Sequence, residues 1–523
     1  MLSPGMVPSP GPPSPGPRGI PRTAFDLLPH LASFLEAPPP QTLLIIGGSG
    51  TGKSTLVRSL LPRVRGPGIF IAYRTEGTSP PGEPAGAPGT GRISLLVVDP
   101  EGSSGDGPDD PSEGAERSLS FAPAALQNGS EVPTPLAEAI ARLGTRAEGF
   151  VAVDSWDATS EEDFRRRGGE RASVRVLSAP ISSLRGLFGR APVRGIIALS
   201  TPPDPELLSI ADGVVELGWE DLHGFRLRVV TIEKLRRTPP PETRYLYSLE
   251  RGEFYCPPQF APGFRAPIAP PDPDPDPQAE TLFPGSAAFA AAFGRLRPRG
   301  LTGLEVPSRF PSSVADAFLY PLVAHALSIG GRVVWIPSAS SSPVQVALQL
   351  SRSIPAEFVR ERLRVIAPAG PEESTHELKA VAMPLPRAAS PGRKAPEGSA
   401  PSIGPLFPDA HRFLHGTPAG RPSLYVIYLD GLHALASIAG LPVSPETFPL
   451  IVGSYQRLPR FHGFGFGRAD DPLDAALVAS VDTHIRVEEK YGRTVLLGVR
   501  PRTSPYILDW PDESGRYTLV PMK

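Results

Sequence analysis

The sequence predicts an α/β protein: a mostly parallel sheet with an antiparallel extension, followed by a second unit that repeats the same order of elements. Three observations predict it. Through residue 200, apolar runs of strand length alternate with segments of helical period, the pattern of parallel strands joined by helical crossovers. Strand-like runs at 213–217, 225–233 and 244–249 then follow too closely for crossover helices, so they extend the sheet antiparallel. Residues 283–523 run through the same succession again.

In chain order, residues 1–22 are rich in Pro and Gly and lack the apolar core of a secretory signal. They are expected to be a disordered, partly polyproline tail. Residues 23–256 form the first domain. Phe25, Leu28, Leu31, Phe34 and Leu35 have near-helical spacing and predict a helix interrupted near Pro29. Leu43–Ile46 read as a buried strand, and Leu56, Val57 and Leu60 begin a helix after the glycine-rich loop between them. Further strands are predicted at 68–73, 93–98, 150–154 and 194–199, and helices at 135–143 and within 174–190. Residues 101–118 are acidic and low in complexity, so disorder is expected there. Residues 257–282 form a proline-rich linker with an Asp-Pro repeat, expected to be extended and semi-rigid.

Residues 283–523 form the second domain. Residues 302–306 stand where 43–46 stand, 332–336 match 68–73, 362–366 match 93–98, and 424–430 match 150–154. Residues 481–488 and 493–499 match the closing strands of the first domain, and 313–328 reads as the helix after the first strand. The intervening loop holds Ser308, Arg309 and Ser312 but neither a Gly-Lys pair nor a glycine run, so it cannot form the same cradle. The second domain is expected to be a degenerate, nucleotide-free copy. Residues 384–405 within it are expected to be disordered.

Composition narrows the class. The chain has 523 residues, with 40% hydrophobic residues, 69 Pro and 53 Gly, which fits folded domains carrying low-complexity insertions. A net charge of −2 gives no general attraction to nucleic acid or anionic membranes. A single cysteine, Cys256, rules out an intrachain disulfide and fits a reducing, cytoplasmic setting. No run of 18 or more apolar residues predicts a membrane span.

Chemistry concentrates in residues 47–55. Gly47, Gly48, Ser49, Gly50, Thr51, Gly52, Lys53 and Ser54 fit G-x-x-x-x-G-K-[ST] in full, between a strand and a helix. Glycines let backbone amides converge on phosphate oxygens, and the helix N-terminus adds partial positive charge. In such a site Lys53 reaches the β/γ-phosphates, the Ser54 hydroxyl ligates Mg²⁺, and Thr55 continues the binding segment. Asp154 ends its strand, where it either holds Mg²⁺ or caps a turn. Ser155 either orients a water or caps the next turn. Glu76, after the second strand, is the nearest candidate to polarise an attacking water, or else a solvated loop residue. Lys234 and Arg236 stand two apart on a strand, hence on one face, either as catalytic fingers toward a neighbour's nucleotide or as a solvated edge. Arg165, Arg166, Arg167, Arg171 and Arg175 form a basic cluster, on a solvated loop or facing an acidic partner. Asp430 and His433 lack a third metal ligand nearby, and no metal site is read there.

The segments IIGGSGTGKST (45–55), VAVDSWDA (151–158), IADGVVEL (210–217), IEKLRRT (232–238) and YLYSLERGEF (245–254) occur in this order. Over residues 23–256 the chain resembles the RecA-like P-loop ATPases of the KaiC group, and within it the archaeal gas-vesicle regulator family GvpD. The resemblance implies a RecA-like core, ATP and Mg²⁺. It also implies a ring or face-to-tail homo-oligomer in which a Lys-x-Arg pair, here Lys234 and Arg236, touches the neighbouring γ-phosphate. KaiC-like domains carry a Glu-Glu pair after the second strand; Arg74-Thr75 stands here, so hydrolysis is expected to be slow or conditional. The resulting expectation is a cytoplasmic, ATP-binding regulatory protein whose residues 283–523 recruit a protein partner, with no membrane partner. The alternatives are a RecA-type ATPase acting on DNA, which near-neutral charge disfavours, and a scaffold with an inert loop.

Overall fold

A computed structural model describes residues 27–38, 41–66, 68–73, 93–98, 149–154, 194–200, 205–238, 242–259, 268–307, 312–367, 381–384, 407–439, 443–458, 460–468, 470–510 and 516–522. The chain is α/β, with mixed sheets that are mostly parallel, and it divides into two compact units, Ala24–Pro258 and Gln259–Val520. No helix among the described residues is long and apolar enough to cross a membrane.

The first unit opens with helix α1 (Leu27–Glu36), continuous through Pro29. The expected interruption is absent because Pro29 falls in the first turn, where its missing N–H has no intrahelical partner to lose. The strands are β1 (Thr42–Gly47), β2 (Gly68–Tyr73), β3 (Ile93–Val98), β4 (Phe150–Asp154), β5 (Arg194–Leu199), β6 (Gly213–Leu222), β7 (Phe225–Leu235) and β8 (Arg244–Leu246). They form one sheet in the order β3-β2-β4-β5-β1-β6-β7-β8. The first six are parallel, and β7 and β8 add antiparallel. β4 is buried along its whole length, and β1 and β5 at every position but the first, so they read as continuous apolar runs. β6 instead alternates in burial over its second half, as a strand with one wetter face does. Gly68 has no side chain because a Cβ there would lie 2.1 Å from the Phe150 ring of the neighbouring strand.

The second unit contains β9 (Gly300–Val306), β10 (Arg332–Ile336), β11 (Leu363–Ala367), β12 (Ala382–Pro384), β13 (Ser423–Tyr428), β14 (Phe461–Arg468), β15 (Thr483–Lys490), β16 (Arg493–Arg500), β17 (Tyr506–Asp509) and β18 (Thr518–Pro521). Its sheet runs β12-β11-β10-β13-β14-β9-β15-β16-β17-β18. With the edge strands β12 and β18 set aside, this is the strand order of the first sheet. The likeness reaches single hydrogen bonds. Asp212, just before β6, accepts from the Thr42 N–H through Oδ2 at 3.1 Å and donates its own N–H to the Thr42 carbonyl at 3.0 Å. Asp482, just before β15, accepts from the Leu301 N–H through Oδ2 at 2.8 Å and returns its N–H to the Leu301 carbonyl at 2.8 Å. Each aspartate pins the start of the equivalent strand. Along β10, Val333 and Trp335 face one apolar cluster with the helix Ser312–Ser328, while Val334 and Ile336 face another with the helices Leu429–Ala439 and Phe448–Gln456. The sheet is thus covered on both faces.

The expected linker differs from the structure over 268–282. These residues belong to the second unit, and the carboxylates of the Asp-Pro repeat attach them. Asp274 Oδ1 and Oδ2 accept from Arg295 at 2.6 and 2.9 Å, and Asp272 Oδ2 accepts from the Ala287 N–H at 2.8 Å. Arg295 holds the Asp274 carboxyl below the usual carboxylate range through that bidentate bond, with burial acting against it. The expected tail at 1–22, the segments 101–118, 135–143 and 174–190, and most of 384–405 lie outside the described residues.

Candidate functional site

The site lies at the carboxyl ends of β1 and β4, where open α/β sheets place their ligands. β1 ends at Gly47, and helix α2 (Lys53–Leu60) begins after a loop of Gly48, Ser49, Gly50, Thr51 and Gly52. Two conformational demands shape the loop. Gly50 and Gly52 have φ of 74° and 91°, in the left-handed region that glycine adopts without strain. Gly47 leaves no room for a side chain, since a Cβ would lie 2.6 Å from Thr51 Oγ1 and 2.7 Å from the Leu217 carbonyl. Thr51 is buried and folds its hydroxyl back onto the Gly48 carbonyl at 2.8 Å. Gly48, Ser49 and Gly50 are exposed.

Lys53 is the first residue of α2 and is buried, with 8% of its surface exposed. Its Nζ donates to the Gly47 carbonyl at 2.7 Å and the Gly48 carbonyl at 3.1 Å, so the ammonium is held within the loop. Ser54, one residue on, donates its hydroxyl to Asp154 Oδ1 at 2.8 Å. Asp154 ends β4 and is 7% exposed. One strand, β5, separates β4 from β1, yet the hydroxyl and the carboxylate meet. Thr55 is half-buried in the same turn.

The antiparallel extension contributes residues that the sequence did not single out. Arg228 of β7 donates from a terminal guanidinium nitrogen to the Gly50 carbonyl at 2.8 Å. The Tyr247 hydroxyl donates to the Thr51 carbonyl, and a Cβ on Gly52 would lie 2.6 Å from a Leu249 methyl. Tyr247 is fully buried and stacks on Phe254 with centroids 4.5 Å apart. Burial drives its phenol pKa well above the ordinary value, against the pull of the Arg228 charge. Tyr247 falls within the strand-like run 244–249 and the segment YLYSLERGEF, and Arg228 within the run 225–233, but neither pattern marks the residue itself.

Lys234 and Arg236 were expected two apart on one strand, but Arg236 lies beyond Leu235, the last residue of β7. Lys234 Nζ donates to the Leu208 carbonyl at 2.9 Å, and Arg236 to the Ser209 carbonyl at 2.7 Å and Asp212 Oδ1 at 3.4 Å. Both cations therefore sit at the C-terminal end of the helix Pro205–Ile210 in their own chain, where the helix dipole favours positive charge. Burial lowers the Lys234 pKa, the neighbouring Arg236 lowers it further, and Asp212 opposes them. Glu76, Ser155 and the basic cluster 165–175 lie outside the described residues.

In the second unit the strand register puts Tyr428, the last residue of β13, at the position of Asp154, and its hydroxyl donates to Asp316 Oδ1 at 2.6 Å. Asp430, which the sequence aligned with Asp154, stands two residues further on in the helix Leu429–Ala439. Asp430 Oδ2 accepts from Ser338 Oγ at 2.8 Å and lies 3.7 Å from an Arg468 guanidinium nitrogen, while Oδ1 accepts from the Gly431 N–H at 2.8 Å. His433 pairs with Asp471 at 3.0 Å. No known protein-family profile matches the chain, and no curated protein matches it.

Proposed function

We propose that the first unit is a RecA-like, Mg²⁺-dependent ATP-binding domain of the KaiC/GvpD type, and that the protein is regulatory, with slow or conditional ATP hydrolysis. The observation that carries the reading is the 2.8 Å contact between Ser54 Oγ and Asp154 Oδ1 beside a glycine loop that encloses Lys53. The donor set fits the groups it would hold. Octahedral Mg²⁺ with bonds of about 2.0–2.1 Å places adjacent ligand oxygens about 2.9 Å apart, close to the separation of this hydroxyl and carboxylate. Gly50 and Gly52 take the left-handed backbone and Gly47 packs too closely for a Cβ, so glycine at these places permits the turn of loop that phosphate oxygens would enter. When bound, Mg²⁺ neutralises part of the phosphate charge. The chain's own contributions are a desolvated ammonium at Lys53, the loop and α2 amides, and an oriented hydroxyl–carboxylate pair.

In this reading the second unit is a nucleotide-free copy of the first. Its strand β13 ends in Tyr428, a phenol that donates to Asp316, where the first unit has the carboxylate that would recruit a metal. That unit is then available as the surface for a protein partner. Calorimetric titration of the full chain with ATP, with and without Mg²⁺, tests the reading. Micromolar binding that requires Mg²⁺ is expected; no binding in either condition refutes it.

A further inference from the structure

Three contacts from the antiparallel extension meet three successive residues at the apex of the glycine loop. Arg228 donates to the Gly50 carbonyl, Tyr247 donates to the Thr51 carbonyl, and Leu249 fills the space beside Gly52. A donor bound to a carbonyl fixes the whole peptide plane, because that plane is rigid. It therefore fixes the direction of the N–H on the following residue as well. Arg228 and Tyr247 thus set the N–H directions of Thr51 and Gly52 from outside the loop.

Of the two, Arg228 is the one linked to the surface. It is half-buried on β7 directly across from Trp219 of β6, and its guanidinium lies 4.1 Å from the centroid of that ring. Trp219 is 41% exposed. The planar guanidinium can stack and donate in its plane at the same time, which a lysine ammonium cannot do. One side chain therefore joins the loop apex to an exposed aromatic on the sheet extension.

We propose that Arg228 is a positioning residue for nucleotide binding. It holds the Gly50 peptide in the receiving conformation and couples occupancy of the loop to the environment of Trp219. The inference rests on the nucleotide reading of the loop. Arg228 acts through a carbonyl of its own chain, which distinguishes it from a finger reaching a neighbour's phosphate.

The test uses the full chain, with Mg-ADP and Mg bound to a slowly hydrolysed ATP analogue as probes. Affinities are measured for wild type, Arg228→Ala and Arg228→Lys. Trp219 emission is isolated as the difference between each protein and its Trp219→Phe counterpart. Arg228→Ala is expected to weaken binding about threefold to tenfold, the range for an exposed bond from a charged donor, with Arg228→Lys intermediate. Wild-type Trp219 emission is expected to change on saturation with nucleotide, and this change is expected to vanish in Arg228→Ala even at saturation. A merely structural arginine would lower stability without uncoupling that signal. Equal affinity in wild type and Arg228→Ala, or Trp219 emission that ignores nucleotide in a binding-competent wild type, overturns this proposal alone. No nucleotide binding by wild type overturns the underlying reading and this proposal with it.

Discussion

The Ser54 hydroxyl donates to Asp154 Oδ1 at 2.8 Å across 100 residues of chain. The contact exists because β1 and β4 run parallel with one strand between them, so their carboxyl ends open on the same edge of the sheet. Asp154 is buried at the end of an apolar strand, and a buried carboxylate requires a partner. The hydroxyl that follows Lys53 is such a partner.

Asp154→Asn keeps the shape and a hydrogen-bond acceptor for Ser54 but removes the charge that a cation needs. The fold is expected to survive, and Mg²⁺ is expected to lose most of its effect on ATP affinity. Asp430→Asn is the control. It removes the carboxylate two residues beyond the end of β13, where Ser338 and Gly431 already engage its oxygens and Arg468 lies 3.7 Å away. It is expected to leave Mg²⁺-dependent binding unchanged. Calorimetric titrations of both variants decide the matter, and intact Mg²⁺ dependence in Asp154→Asn makes Asp154 a capping residue.

Lys53→Ala removes a charge-assisted contact to phosphate, a change of about 1.5–3 kcal/mol, or roughly tenfold to 150-fold in affinity. It also frees the Gly47 and Gly48 carbonyls that Nζ now joins. Weaker ATP binding with an unchanged circular dichroism spectrum is expected. Unchanged affinity in a folded variant ends the phosphate-loop reading.

The parts of this architecture that were legible in the sequence are those whose physics is local. β1, β4 and β5 are covered on both faces and so appear as unbroken apolar runs, and the Gly47–Ser54 loop needs glycine at fixed places. β14 was not legible because Gly463, Gly465 and Gly467 interrupt its apolar pattern. The first two earn their place through close packing, Gly463 against Leu301 and Gly465 against Leu477. The paired roles of Asp212 and Asp482 were hidden because each partner lies at least 170 residues away. Arg228 was hidden for the same reason: it reads as an ordinary polar strand residue until the extension folds against the loop, 178 residues earlier in the chain.

His462 gives the second unit a pH dependence. Burial, the largest influence, lowers its pKa from 6.5 to about 4; a bond with the Arg297 backbone raises it and the Arg460 charge lowers it. The folded state resists protonation, so the unfolded state binds more protons as pH falls below 6.5. The contribution is therefore full above about pH 6.5 and is lost on acidification toward pH 4. Between pH 7 and pH 5 the loss is about 2 kcal/mol. Urea unfolding of wild type and His462→Gln at both pH values is expected to show that much extra acid sensitivity in wild type, and parallel losses would refute the assignment.

Lys234 and Arg236 present the sharpest contrast between a local role and an intermolecular one. In this chain Lys234 reaches the Leu208 carbonyl and Arg236 the Ser209 carbonyl, closing the end of the helix Pro205–Ile210. Arg236 also reaches Asp212, whose other oxygen accepts from the Thr42 N–H at the start of β1. A role on a neighbouring subunit's nucleotide requires these bonds to be released. Each cation at a helix C-terminus contributes about 0.3–1 kcal/mol, and the exposed Arg236–Asp212 pair adds little. Lys234→Ala/Arg236→Ala is therefore expected to lower stability by about 1 kcal/mol, with a small loss of ATP affinity as the start of β1 loosens. Mixing this variant with Lys53→Ala protein separates the two roles. If the cations stay on their own helix, the mixture turns over ATP no faster than its parts, which is the expected result. If they act across an interface, some interfaces pair an intact loop with intact cations and activity returns. Recovery of turnover on mixing, together with a higher mass in Mg-ATP, would show that the helix-end bonds are a resting state that assembly breaks.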